Sequence, residues 1–165
     1  AQAIKGIKST PRHLAEIERD IHTAKMKLVT EEIDVAEIYS PPRVAVRARE
    51  LGFGAGWGLD LTTKDKDGTY WDSSKNEMKE RAIAKIKKDK QLLIIGSLMC
   101  TDWSAMMNFN CSKMNSNDKE RRLKEARKHL RFCIRLYKLQ ADNNRYFLHE
   151  HPANAKSWKE KSHLK

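Results

Sequence analysis

Short apolar runs alternate with amphipathic segments from Asp34 almost to the end of the chain. Between the runs, apolar residues recur at helical spacing. This alternation is typical of βα units joined by right-handed crossovers. The pattern therefore predicts an α/β domain with a mostly parallel sheet and flanking helices. Its four strands are predicted at Val35–Tyr39, Trp57–Leu61, Leu92–Ile95 and Arg145–Glu150.

Helices are predicted between the strands, and the sequence pattern that predicts them is clearer in some segments than in others. A short helix is predicted to end at Gly52, a residue type that often follows a helix. A second helix covers Asn76–Lys88, and the strongest covers Asp118–Leu139. Residues 101–117 are rich in Asn, Ser and Met and are predicted to form one long loop, a feature that is usually functional in a compact domain.

The chain is predicted to have three parts. In residues 1–32, Thr10 and Pro11 are typical of a helix start, and apolar residues follow at helical spacing, so a preceding N-terminal helix is expected. Residues 33–158 form the α/β domain, and residues 159–165 form a basic tail. The chain begins without a Met, and we expect it to be a piece of a longer protein.

Composition narrows the class of partner. Among 165 residues, 33 Lys and Arg outweigh 22 Asp and Glu, which gives a formal net charge of +11. Such an excess favours DNA or another nucleic acid as partner, although a Lys-rich solvated surface has the same composition. Three cysteines without a CxxC pair predict neither a disulfide framework nor a metal site. The longest near-apolar run is too short to span a membrane, and we expect an intracellular protein of the cytoplasm or nucleus.

Candidate functional residues follow the predicted strands, because ligands of parallel sheets bind at the carboxyl ends of the strands. A thiol and a carboxylate at neighbouring strand ends could serve as nucleophile and proton donor. The candidates at the strand ends and in the loop before Asn76 are Glu37, Tyr39, Asp60, Asp72, Gly96, Cys100 and Glu150.

Plainer roles are open for several of these candidates. A cysteine after a buried strand is often a small apolar filler, which applies to Cys100. Glu150 lies between two histidines, where it could cap a helix or form an ion pair. Asp60 could cap the turn that follows it.

A cysteine hydrolase that pairs Cys100 with His149 is a further class of enzyme to consider.

The order of these pieces resembles the catalytic half of DNA cytosine-5 methyltransferases, which use S-adenosylmethionine. The best match is Leu92–Ser104, where the family has a strand, a Gly-Gly-Pro-Pro-Cys turn and an aromatic-Ser pair. In Tyr146–His151, Glu150 matches the family's Glu-Asn-Val, and Glu37-Ile38-Tyr39 matches its Asp-Leu-Phe.

The resemblance implies a Rossmann-like, methyltransferase-type fold that binds S-adenosylmethionine and methylates a flipped cytosine. Cys100 would attack the cytosine ring, and Glu150 would support the ring nitrogen. The residues that would bind the cofactor are Glu37, Tyr39, Asp60, Asp72 and Gly96.

This chain departs from the family at two turns, and the match ends near Pro152. Ser40-Pro41-Pro42-Arg43 replaces the glycine-rich cofactor turn, and Leu98-Met99 replaces the Pro-Pro pair before the cysteine. The fold is therefore expected to be incomplete, as in methyltransferase-like segments of retrotransposon-type polyproteins. Besides the cysteine hydrolase, two classes stay open: a methyltransferase-like domain, active or degenerate, and a non-catalytic nucleic-acid-binding or polyprotein module.

The strongest predicted helix also carries a group of basic residues. Its apolar stripe would face the core and leave the basic side chains outside. They are predicted to contact phosphates, although a solvated helix face has the same pattern. These residues are Arg121, Arg122, Lys124, Lys128, Arg131, Arg135 and Lys138.

Overall fold

A computed structural model describes residues 33–54, 56–104 and 114–160, together with Arg19. The N-terminal helix predicted in residues 1–32 therefore lies outside the described residues, apart from Arg19. The same holds for residues 105–113 of the predicted loop and residues 161–165 of the predicted basic tail.

The described part of the chain folds around one four-stranded sheet. All strand pairs are parallel, and the order across the sheet is β2-β1-β3-β4. The prediction of an α/β chain with a parallel sheet is thus confirmed. The strands are β1 (Val35–Ile38), β2 (Gly58–Leu59), β3 (Leu93–Ser97) and β4 (Tyr146–Glu150).

Helices connect successive strands. They are α1 (Arg43–Glu50), α2 (Asn76–Asp89) and α3 (Ser116–Ala141), and a short 3₁₀ helix covers Lys156–Lys159. Each α-helix buries residues spaced three or four apart, as an amphipathic sequence requires. Among the described residues, no helix has the length and apolar composition needed to cross a membrane.

The two faces of the sheet bury different clusters because neighbouring strand residues point to opposite sides. Ile38 and Ile94 belong to the larger core, which includes buried residues of α2 and α3. Val35 and Ile95 pack with Ala45 and Ala48 of α1 in a smaller cluster. The sheet is therefore covered by α2 and α3 on one face and by α1 on the other.

Strand β4 forms one edge of the sheet and is much less covered than the central strands. Within the described residues it pairs with β3 alone. Tyr146, Phe147 and Leu148 are 67%, 48% and 48% exposed, whereas Ile94 in β3 is fully buried. The edge at β4 is thus apolar and accessible in the described part of the chain.

Helix α3 crosses the sheet from one end of the strands to the other. In its middle, Glu125, Ala126 and His129 line a cleft together with residues that follow β3. Near its end, the Gln140 side chain donates hydrogen bonds to the carbonyls of Gln91 and Tyr146, at the amino ends of β3 and β4. The first half of α3 is therefore the part that faces the carboxyl ends of the strands.

Candidate functional site

A cleft of about 470 Å³ opens at the carboxyl ends of β1, β2 and β3. This volume lies within the usual range of small-molecule sites. Tyr39 follows β1, Asp60 follows β2, Ser97 ends β3, and the middle of α3 closes the other side. The site is therefore where a parallel α/β sheet is expected to bind a ligand.

Three of the predicted site residues meet in this cleft, namely Tyr39, Asp60 and Asp72. They come from the end of β1, the end of β2 and the loop before α2. Four other candidates are not among the residues that line it, and these are Glu37, Gly96, Cys100 and Glu150.

The carboxylates of Asp60 and Asp72 are held by the turns that follow them. Asp60 Oδ1 accepts hydrogen bonds from the backbone N–H and hydroxyl of Thr62, at 2.9 and 2.7 Å. Asp72 Oδ1 accepts the same pair from Ser74, at 3.0 and 2.7 Å. The Ser74 hydroxyl and N–H hold the pKa of Asp72 below its ordinary value. Asp60 thus does cap a turn, and both carboxylates have fixed orientations in the cleft.

Tyr39 and His129 form a second pair in the cleft. Tyr39 has a φ of 61°, which is uncommon for a residue other than glycine and is often found at functional sites. Its hydroxyl oxygen lies 3.0 Å from Nδ1 of His129, and the two rings meet edge to face. Burial raises the pKa of Tyr39 well above its ordinary value. Burial, followed by the charge of Lys79, lowers the pKa of His129, so both rings are neutral near pH 7.

The remaining charged residues of the cleft are acidic. Asp102 forms an ion pair with Arg122 at 2.7 Å, and Glu125 forms one with Lys128 at 2.6 Å. The hydrogen bond from Lys128 lowers the pKa of Glu125. Four carboxylates but no Lys or Arg line the cleft in the described part of the chain. A ligand in the cleft therefore meets carboxylates, two of which are held in ion pairs, although the chain as a whole is basic.

Glu37 acts on the fold of α1. Its side chain is buried below β1 and only 2% exposed. Oε1 accepts a hydrogen bond from the Ala45 N–H at 2.9 Å, and Oε2 accepts one from the Ser40 hydroxyl at 3.2 Å. An N–H in the first turn of a helix has no partner within the helix, so Glu37 supplies one for α1.

Gly96 allows α3 to approach β3. A Cβ at this position would lie 1.9 Å from the Tyr137 hydroxyl oxygen and 2.7 Å from Cys133 Sγ. Burial raises the pKa of the Cys133 thiol to about 12, so this cysteine is a packing residue and not a thiolate. Side chains of α3 thus fill the space beside Gly96, which does not open into the cleft.

Cys100 and Glu150 are both exposed near neighbouring strand ends. Cys100 follows β3 by three residues, and its carbonyl accepts hydrogen bonds from the N–H groups of Trp103 and Ser104. Glu150 ends β4 and is in register with Ser97 of β3. His149 points to the α3 face, where its Nδ1 lies 2.9 Å from the Tyr137 hydroxyl.

Six of the seven predicted basic residues form one stripe on α3. Since an α-helix turns about 100° per residue, these six fall within an arc of about 100° that is roughly 26 Å long. All six are exposed. Arg122 lies outside this arc, is partly buried and binds Asp102. The six residues, called the basic stripe below, are Arg121, Lys124, Lys128, Arg131, Arg135 and Lys138.

A groove of about 400 Å³ lies between α2 and the second half of α3. Lys87 of α2 faces Arg131, Arg135 and Lys138 of the basic stripe across it. Positive charge thus extends from α3 onto α2, at the end of α3 away from the cleft.

Metal binding finds no support in the described ranges, where no three His, Cys, Asp or Glu side chains cluster closely enough to hold an ion. Comparisons of the chain with protein-family models, curated proteins and solved structures find no match. The case for a function therefore depends on the cleft and on the basic stripe.

The cleft offers hydrogen-bond partners to a ligand through side chains more than through backbone. The turn after β1 contains Pro41 and Pro42, which have no N–H to donate. Gly58 packs β2 against this turn, since a Cβ there would lie 2.7 Å from the Ser40 carbonyl oxygen. Asp60 and Asp72 offer acceptors for the hydroxyl and amino groups of such a ligand.

Three titratable residues of the cleft were absent from the candidates taken from the sequence, namely Asp102, Glu125 and His129. His129 and Glu125 lie on the polar side of the predicted helix, where periodicity alone does not identify a site. The sequence feature that could have identified His129 and Glu125 is their place in a helix that begins near the carboxyl end of a strand and returns along the sheet.

Proposed function

We propose that the chain is an S-adenosylmethionine-dependent DNA (cytosine-5) methyltransferase-like domain with a Rossmann-like fold, which acts in the cytoplasm or nucleus. The observation that carries the proposal is the meeting of Tyr39, Asp60 and Asp72 in one cleft at the strand ends. The resemblance of Leu92–Ser104 to the family's strand and cysteine turn supports the same function.

The charge of the cleft suits this cofactor. S-adenosylmethionine, when bound, supplies a methyl group on a positively charged sulfur. Asp60 and Asp72 would accept hydrogen bonds from its hydroxyl and amino groups, and their charges would attract its cationic centres. The carboxylates are already fixed by Thr62 and Ser74, so little ordering is needed on binding.

The basic stripe supports a nucleic-acid substrate. Its six cations follow one side of α3 from the cleft end toward the groove, and they would contact phosphates without reading sequence. Cys100 would attack the cytosine ring as a thiolate, and Glu150 would support the ring nitrogen. Cys100 and Glu150 are both exposed near neighbouring strand ends, but Glu150 follows His149 in β4 and therefore points to the sheet face opposite α3.

Calorimetric titration with S-adenosylmethionine tests the proposal. The wild-type chain should bind it with a micromolar dissociation constant, and Asp60→Asn and Asp72→Asn should each weaken binding at least tenfold. Asp142→Asn is the matched control, because Asp142 is an exposed carboxylate that lines the groove and not the cleft. An absence of binding at millimolar cofactor would refute the proposed function.

A non-catalytic nucleic-acid-binding or retroelement polyprotein module is the second candidate. The Pro41-Pro42 turn favours it, because it lacks the amide donors expected at a cofactor turn. This second function would be supported if the chain binds nucleic acid through the basic stripe but does not bind S-adenosylmethionine.

A further inference from the structure

We propose that His129 accepts the proton released when a methyl group is transferred in the cleft, and that Tyr39 positions its ring. This inference rests on the proposed function. It assigns a role to a residue outside the two groups, Cys100 and Glu150, that the family resemblance implies.

The geometry gives His129 a defined orientation. Its side chain reaches the cleft from α3, and its Nδ1 lies 3.0 Å from the Tyr39 hydroxyl oxygen. When Nδ1 carries the proton and donates it to that oxygen, Nε2 keeps a free lone pair. A base held by a third group in this way is the usual arrangement of an activating histidine. The φ of 61° at Tyr39 sets the position from which its ring meets His129.

The surroundings keep the imidazole neutral but able to accept a proton. Burial and Lys79 lower the pKa of His129, as does Lys128, whereas Glu125 and Asp72 oppose them. The two carboxylates would stabilise the imidazolium once it forms. Their own pKa values are lowered, so they are weaker bases than the imidazole. His129 is therefore the best-suited proton acceptor among the described residues that line the cleft.

The step balances without a further reagent. Once the Cys100 thiolate has added to C6 of the cytosine, a bond forms between the methyl carbon and the acceptor carbon of the substrate, and the bond from methyl to sulfur breaks with its electron pair left on sulfur. The hydrogen on the acceptor carbon, C5 of cytosine, then leaves as a proton to Nε2 of His129. Its electron pair restores the ring double bond as the thiolate of Cys100 departs. The imidazolium finally returns the proton to water.

The test uses the whole chain, S-adenosylmethionine with a ¹⁴C-methyl group, and duplex DNA with tritium at C5 of its cytosines. His129→Gln should bind the cofactor within about threefold of wild type but release tritium roughly 100-fold more slowly. A covalent DNA–protein complex that survives detergent should accumulate in this variant, because methylation precedes proton loss. A merely structural role for His129 would not produce that complex. Glu120→Gln, an exposed change on the same helix, should match wild type.

Nuclear magnetic resonance of the histidine nitrogens gives a readout that does not depend on turnover. At pH 7 the wild-type His129 should carry its proton on Nδ1, and Tyr39→Phe should remove that preference. Three outcomes would each overturn the inference. The first is tritium release by His129→Gln at the wild-type rate, and the second is no tritium release by a wild-type chain that binds the cofactor. The third is a wild-type His129 that carries its proton on Nε2. A chain that does not bind the cofactor would overturn the proposed function as well, so the two failures are distinguishable.

Discussion

The hydroxyl oxygen of Tyr39 and Nδ1 of His129 lie 3.0 Å apart, which joins the end of β1 to the middle of α3. The two residues are 90 positions apart in the chain, so the contact exists only in the folded protein. It brings a strained backbone position and a partly buried titratable ring to one side of the cleft.

The first prediction concerns the effect of pH on stability. Unfolded, His129 has an ordinary pKa near 6.5, and folding lowers that pKa. As the pH falls below about 6.5, the unfolded chain binds a proton that the folded chain does not, so the free energy of unfolding decreases. The loss ends once the pH is below the folded-state pKa. Denaturant unfolding of wild type and His129→Gln at pH 7.5 and 5.5 should show a larger decrease for wild type. Equal decreases would contradict the burial assigned to His129.

The second prediction concerns Gly96. Gly96→Ala places a Cβ against the Tyr137 hydroxyl and Cys133 Sγ, and should lower the free energy of unfolding by about 1–3 kcal/mol. Adding Tyr137→Phe should recover part of the loss, since it removes the nearest atom. Ser97→Ala, at the next and partly exposed position, is the control and should change stability little. An unaffected Gly96→Ala protein would show that α3 packs differently.

The third prediction separates structure from ligand binding at Glu37. Glu37→Leu leaves the Ala45 N–H without its buried acceptor, whereas the Ser40 hydroxyl keeps the Pro41 carbonyl, and should cost about 1–3 kcal/mol of unfolding free energy. Glu37→Gln keeps one acceptor oxygen and should cost less. Calorimetry should find S-adenosylmethionine binding unchanged in Glu37→Gln, and a tenfold loss there would place Glu37 in the cofactor site instead.

The fourth prediction tests the basic stripe. Reversing Arg121, Lys128 and Arg135 to Glu should weaken DNA binding at least tenfold. The negative slope of log affinity against log salt should become shallower by about 3. The fold should survive, because exposed ion pairs contribute little to stability. Reversing Arg43, Arg49 and Lys66, three exposed cations away from α3, changes the net charge equally and is the control. Equal losses of DNA affinity in the two triple variants would show that the basic stripe acts only through the net positive charge of the chain.

Much of the fold could be predicted from the sequence because apolar periodicity determines which face of each element is buried. Leu92–Ile95 is one of the short apolar runs that predict a strand, and β3 forms there with parallel strands on both sides. The strand after Trp57 was overestimated in length, since only Gly58 and Leu59 pair with β1. Pairing depends on the partner strand, and a single run of sequence does not contain that information.

The candidate site was predictable only where it follows strand ends. Tyr39 and Asp60 come directly after β1 and β2, so topology placed them near the cleft. Gly96 lies within β3, level with Ile38 of β1, and its space is filled by α3, which depends on how Tyr137 packs. Arg122 was grouped with the other cations of α3, although counting 100° per residue would have separated it from them.

The exposed edge at β4 affects how the protein behaves in concentrated solution. An unpaired strand edge with apolar side chains offers hydrogen-bonding groups to a strand of another molecule. Tyr146, Phe147 and Leu148 leave β4 open to such pairing within the described part of the chain. The purified chain is therefore expected to self-associate as its concentration rises, and light scattering should show less of this for Leu148→Lys.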